Sequence, residues 1–199
     1  MILKNRINNF WSFLKKYNYE WKMKLTVGMP IIIILVALDW ISKGIVTSNM
    51  TLGQSKDFLP GFLNLNYIIN LGRAWGENND PASLVKNISF AAIFTILILV
   101  VFIFVNSKKW IIPIAMLFSG AFANVLARSW SPMNADGVHG GVVDLLVWDF
   151  DFFIFSKSYI FNLADVWVCS GIPLMGVCFI IEFIQMFLEA KKNKKELHD

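Results

Sequence analysis

The chain has 199 residues, of which 56% are apolar and only 16% charged, with a formal net charge of +4. A soluble domain carries roughly 25% charged residues, and here the charges also cluster, leaving long uncharged stretches. The composition excludes an ordinary soluble domain, predicts a membrane chain and gives no reason to expect a nucleic-acid partner.

Residues 1–24 place Leu3, Ile7, Phe10, Leu14 and Tyr17 at helical spacing among lysines. That spacing predicts an amphipathic helix on the cytoplasmic surface. A cleavable signal peptide is not expected, because the apolar run starts too far in and no small-residue cleavage site follows it. The body, 25–188, is read as a membrane all-α domain with four spans near 25–46, 87–105, 110–128 and 163–188, since about 20 helical residues cross a hydrocarbon core. Between the first two spans, segment 48–86 carries the turn signal Phe58-Leu59-Pro60-Gly61-Phe62, then alternates polar and apolar over 63–68. It predicts a small extracytoplasmic β-strand cap. Loop 129–161 holds Gly140-Gly141 and then an apolar run from 142 to 155, open between a short strand and a re-entrant piece. In the fourth span, Cys169 and Cys178 lie nine positions apart, on opposite helical faces, and are read as packing residues. Residues 189–199 form a basic tail.

Lys and Arg concentrate before the first span, between the second and third, and after the fourth. Both termini are therefore expected in the cytoplasm and both long loops outside.

Ionisable residues within spans are costly and need a reason. At about 1.5 Å per residue, Asp39 and Asn124 each lie roughly 21 Å from the cytoplasmic start of their span. Arg128 lies one turn further and Asp165 near the outer start of the fourth span, so three helices deliver polar groups to one level. Asp144, after the flexible Gly140-Gly141, can drop back to the same level. Two carboxylates at a partly dry interface share a proton more readily than both ionise, which suits activation of water without a metal or cofactor. Arg128 and the asparagines are expected to fix those carboxylates. The plainer alternatives are an interfacial acid at a helix end, a snorkelling Glu182, solvated Asp149 and Asp151, and His139 as a loop residue. The residues alone leave an enzyme and a proton-coupled carrier both open.

Five blocks in order carry a family resemblance: Leu38-Asp39-Trp40-Ile41-Ser42-Lys43, Asn70-Leu71-Gly72-Arg73-Ala74-Trp75, Ser119 to Arg128, Gly141-Val142-Val143-Asp144, and Phe161-Asn162-Leu163-Ala164-Asp165. They resemble the lipoprotein signal peptidases, or signal peptidase II. The resemblance implies an aspartic-type endopeptidase with Asp144 and Asp165 as catalytic dyad. Asn124, Arg128, Asn162, Asp39, Lys43 and Asn70 would form the supporting polar shell. Gly72, Ala74 and Trp75 would cradle the substrate, and the run 147–155 would act as a lid. The implied partners are lipid-modified prolipoprotein signal peptides, membrane lipids and globomycin-type inhibitors, with the chain a monomer. The third block departs from the family's Gly-Asn-x-x-Asp-Arg, having Ala123 for the glycine and Ala127 for the aspartate. That departure raises a second possibility, a catalytically impaired lipopeptide-binding homologue.

Overall fold

A computed structural model describes residues 2–72, 79–153 and 155–196. Four of its helices are long and apolar enough to cross a membrane: α2 (Trp21–Asn49), α3 (Leu84–Phe104), α4 (Lys108–Trp130) and α5 (Leu163–Glu196). Each predicted span lies within one of them or ends a single residue beyond it, and α5 runs on into the basic tail. A preceding helix, α1 (Ile2–Lys16), turns side chains of both kinds outward. Its connection to the bundle is aromatic: the Tyr17 hydroxyl donates to the Phe104 carbonyl at 2.5 Å, and the Tyr17 and Tyr19 rings pack on Phe104.

Helix α4 is the central element and packs against the other three. Its Ile111, Ile114, Ala115 and Leu117 meet Ile32 of α2 and Ile98 and Phe102 of α3 in one buried cluster. The outward faces stay apolar, with Ile33, Ile41, Phe90, Ile93, Phe179 and Phe183 exposed, as a surface bathed in lipid tails requires. Near its start α2 widens into a π-helical turn, Lys24–Gly28. There the buried Lys24 donates to the Ile103 carbonyl at 2.6 Å, placing a cation at the C-terminal end of α3.

The cap is a four-stranded antiparallel sheet in the order β1 (Ser55–Leu59), β2 (Leu63–Asn70), β3 (Val142–Trp148), β4 (Ile160–Phe161). The expected strand around 63–68 is there. The cap nevertheless extends beyond the loop between the first two spans, since half its strands come from the loop between the last two. The run opened by Val142 is a strand, and its Val143, Leu145 and Leu146 bury with Tyr67, Ile69 and Val46 over the top of α2. The sheet thus ties both outer loops together above the bundle. It is this pairing that brings Asp144 down to the helices.

Candidate active site

The site begins with a missing side chain. A Cβ on Gly120 of α4 would fall 2.3 Å from the Ala164 carbonyl oxygen and 2.7 Å from Val168. Without it α4 and the start of α5 touch, and Asn124, one turn beyond Gly120, comes beside Asp165. Its Nδ2 donates to Asp165 Oδ1 at 2.9 Å.

The start of α5 fixes the second oxygen of that acid. The first backbone N–H groups of a helix lack intrahelical partners, and here Asn162 and Asp165 cap each other. Asn162 Oδ1 accepts the Asp165 N–H at 3.1 Å, and Asp165 Oδ2 accepts the Asn162 N–H at 3.1 Å. This is the reciprocal arrangement of a capping box. The intervening Ala164 N–H donates to Asp39 Oδ1 at 2.9 Å, so a carboxylate on α2 serves as a further cap.

Asp144 arrives from the cap. On β3 it lies opposite Ile68, while Asn70 of β2 is paired with Val142. Asn70 is therefore a diagonal neighbour of Asp144, within reach of a long side chain. Asn70 Nδ2 donates to Asp144 Oδ2 at 2.9 Å, and Asn162 Nδ2 donates to Asp144 Oδ1 at 2.6 Å. Each of the four carboxylate oxygens accepts one amide N–H, and Asn162 bonds both acids. Asp144 is 3% exposed whereas Asp165 is half-buried, so Asp165 is the more accessible of the two. Burial and then the neighbouring Asp165 charge raise the Asp144 carboxyl to about 7. A proton is therefore retained in the pair near neutrality.

Behind this layer, Lys43 pairs with Asp39 at 2.8 Å and donates to Asn124 Oδ1 at 2.9 Å. By occupying the carbonyl of Asn124, the ammonium turns its NH2 toward Asp165. Both Lys43 and Asp39 are buried, so each depends on the other as counter-charge.

Arg128 corrects the expectation that it would fix the carboxylates. Its hydrogen bonds go to the carbonyls of Gly72 at 2.6 Å, Gly140 at 3.0 Å and Leu71 at 3.3 Å. These carbonyls lie just past the end of β2 and just before β3, where strand pairing stops, and the guanidinium fork supplies donors to all three. Gly72 is buried beneath this clamp; Ala74 and Trp75 lie outside the described residues. Two asparagines absent from the sequence reading support the same loop. Asn79 accepts the Leu71 N–H at 2.8 Å, and the buried Asn87 donates to the Leu71 carbonyl at 3.1 Å. The only sequence signal for Asn87 was a lone amide at the start of an otherwise apolar span.

The remaining polar residues fall elsewhere. Glu182 accepts from Ser107 at 2.9 Å at the start of α4, and His139 is exposed in its loop. Asp149 accepts the Gly61 N–H, and Asp151 accepts from Ser156 and the Lys157 N–H. Among the described residues no three His, Cys, Asp or Glu side chains converge as metal ligands. Ala123 and Ala127 line a narrow cleft between α2 and α4 with Val36, Asp39, Trp40, Leu126 and Trp130. The two departures thus lie on the Asp39 side of α4, and neither acid of the pair borders that cleft.

Residues 31–182 match the family model described as signal peptidase (SPase) II. A lipoprotein signal peptidase of Fusobacterium nucleatum is 33% identical over 172 residues, 82% of this chain and 88% of the relative. That of Enterococcus faecalis is 32% identical over 177 residues, 86% of this chain and 94% of the relative. A solved structure of a bacterial membrane enzyme, obtained by the in meso method at 2.3 Å resolution, superposes with a TM-score of 0.62 at 27% identity. It covers 78% of this chain and 88% of its own. A second, at 1.9 Å resolution, gives a TM-score of 0.60 at 26% identity over 76% of this chain.

Proposed function

The chain belongs to the signal peptidase II family, and from that premise we propose that it removes signal peptides from prolipoproteins, using Asp144 and Asp165 to activate water. The observation that carries this reading is the bonding of both carboxylates to Asn162, at 2.6 Å and 3.1 Å. Such a joint holds two acids close enough to share a proton and a water.

In the reaction, water adds to the scissile carbonyl carbon. Asp165, the more accessible acid, takes a proton from the water, and Asp144 gives its own to the carbonyl oxygen. Collapse of the tetrahedral intermediate breaks the C–N bond. The proton on Asp165 passes to the departing amine, and a hydroxyl proton of the intermediate returns to Asp144. The pair ends in its starting state.

The substrate is a precursor whose cysteine already carries diacylglycerol, and the cut falls just before that cysteine. A lipid anchor holds the bond at headgroup depth, the level where α2, α4, α5 and the cap converge. The Lys- and Arg-rich ends favour cytoplasmic termini, with α1 lying on the inner surface and the cap outside. The enzyme works as a monomer and admits globomycin-type cyclic peptides at the same site. Ala127 borders the cleft beside Asp39, and the hydrogen bonds to both carboxylates are made without a side chain from it, which favours an active enzyme over a binding-only homologue. The four spans contain no repeated half with broken helices, which disfavours the carrier.

The test is incubation of the bilayer-reconstituted protein with a diacylglyceryl-modified precursor and with its unlipidated counterpart, the products being read by mass spectrometry. One cut immediately before the lipidated cysteine, with the unlipidated precursor left intact, is expected. No cleavage, or equal cleavage of both precursors, overturns the reading.

A further inference from the structure

The apolar run that the family resemblance marks as a lid is pinned along its base. The Trp148 ring packs on Phe62, Phe150, Phe155 and Phe161 at centroid distances of 4.9–5.5 Å. Asp149 accepts the Gly61 N–H at 2.7 Å from the neighbouring hairpin and pairs with Lys157 at 3.5 Å. Beyond this base the chain makes a closed turn. The backbones of Phe152 and Phe155 exchange hydrogen bonds at 2.8 and 2.9 Å, and Asp151 accepts from Ser156 Oγ and the Lys157 N–H, both at 2.9 Å.

What the turn presents is at odds with a surface in water. Phe152 is 70% exposed and Phe153 94% exposed, the most exposed large apolar side chain among the described residues. Phe153 also sits at φ +55°, a left-handed conformation that a bulky side chain adopts only when its surroundings hold it there. Strain is thus accepted to carry a phenyl ring outward, with little among the described residues covering it.

We infer that the Phe152–Phe153 tip is an interfacial anchor, inserted into the lipid leaflet on the cap side of the membrane. The structure names lipid as the occupant for three reasons. Strand β4 leads within two residues into α5, so the turn belongs to the loop that enters the membrane-spanning bundle. Aromatic rings flanked by a lysine are the composition that settles at the headgroup boundary. The pairing of the Phe152 and Phe155 backbones satisfies the polar groups of those two residues, which entry into an apolar phase would leave without water. Anchored there, the turn holds the cap, and Asp144 with it, at a set height above the bilayer. This inference rests on membrane residence and is independent of the peptidase reading.

The test uses the full chain with Cys169→Ala and Cys178→Ala, spin-labelled through Phe153→Cys in nanodiscs of phosphatidylethanolamine and phosphatidylglycerol. Phe152→Cys is the second site on the tip, and Asp136→Cys, on the other part of the loop, is the aqueous reference. Power saturation compares collisions with oxygen, which partitions into lipid, against those with a water-soluble nickel chelate. Several-fold higher oxygen access and several-fold lower nickel access at either tip position than at 136 is expected. Nickel access equal to that at 136 puts the tip in water and overturns the inference. Protection from both reagents, meaning a protein partner covers the tip, overturns it as well.

Discussion

Asn162 and Asp165 cap each other across the first turn of α5, each accepting the other's backbone N–H at 3.1 Å. The same asparagine gives its side-chain amide to Asp144 at 2.6 Å. One residue therefore starts a membrane helix and joins two acids, and these roles separate by substitution. Serine is a good N-cap but does not reach Asp144. Asn162→Ser should keep thermal stability within about 0.5 kcal/mol while lowering kcat by about 10²-fold. Asn162→Ala should lose about 1 kcal/mol in addition. Thermal unfolding and kinetics on the same preparations check both.

Lys43 holds the layer behind the pair. Lys43→Met leaves Asp39 buried without its counter-charge, a change that costs about 3–5 kcal/mol. The double variant Asp39→Asn/Lys43→Met should recover much of that loss, because an asparagine carbonyl still accepts the Ala164 N–H. Unfolding temperatures in one detergent give the comparison.

The approach of α4 to α5 is limited by backbone, which cannot yield as a side-chain end can. Gly120→Ala should destabilise the protein by about 1–3 kcal/mol and reduce turnover, since the added methyl pushes Ala164 and the following Asp165 away from Asn124. Gly176→Ala is the control: its Cβ would meet nothing within 4 Å. It should behave as the parent in both assays.

The retained proton sets a pH dependence. The Asp144 carboxyl is raised to about 7 by burial and by its neighbour's charge. The protonated acid is favoured in the fold, so its contribution to stability is complete below about pH 4 and is lost as pH rises through about 7. Parent protein should lose stability over that interval, and Asp144→Asn, which cannot ionise, should not show this loss. Turnover should fall on the alkaline side as the shared proton leaves. A turnover profile still rising beyond pH 8 contradicts the assignment of Asp144 as proton donor.

The four spans, the cap strand at 63–68 and the polar side chains that meet around Asp144 and Asp165 stand out in the sequence, whereas Asn79 and Asn87 do not. Hydropathy marks the spans, and carboxylates or amides inside them stand out by their cost. What escaped was partnership. Arg128 is visible as a charge at the end of α4, but its carbonyl partners exist only once β2 and β3 have paired. Asp39 reads as a buried acid beside Lys43, yet its role as a cap on α5 depends on a contact 125 residues away. The run from 142 stayed open between strand and re-entrant piece because a short apolar stretch has no diagnostic period. Its long-range pairing with β2 decides it.

Cleavage by this mechanism requires the two acids to act together. The most direct measurement is single-turnover cleavage of the diacylglyceryl-modified precursor by Asp144→Asn and, separately, by Asp165→Asn, each shown to be folded by its unfolding transition. Each should lower the rate by about 10³-fold or more, with the double variant little worse than either single one. Near-parental cleavage by either single variant would contradict the dyad.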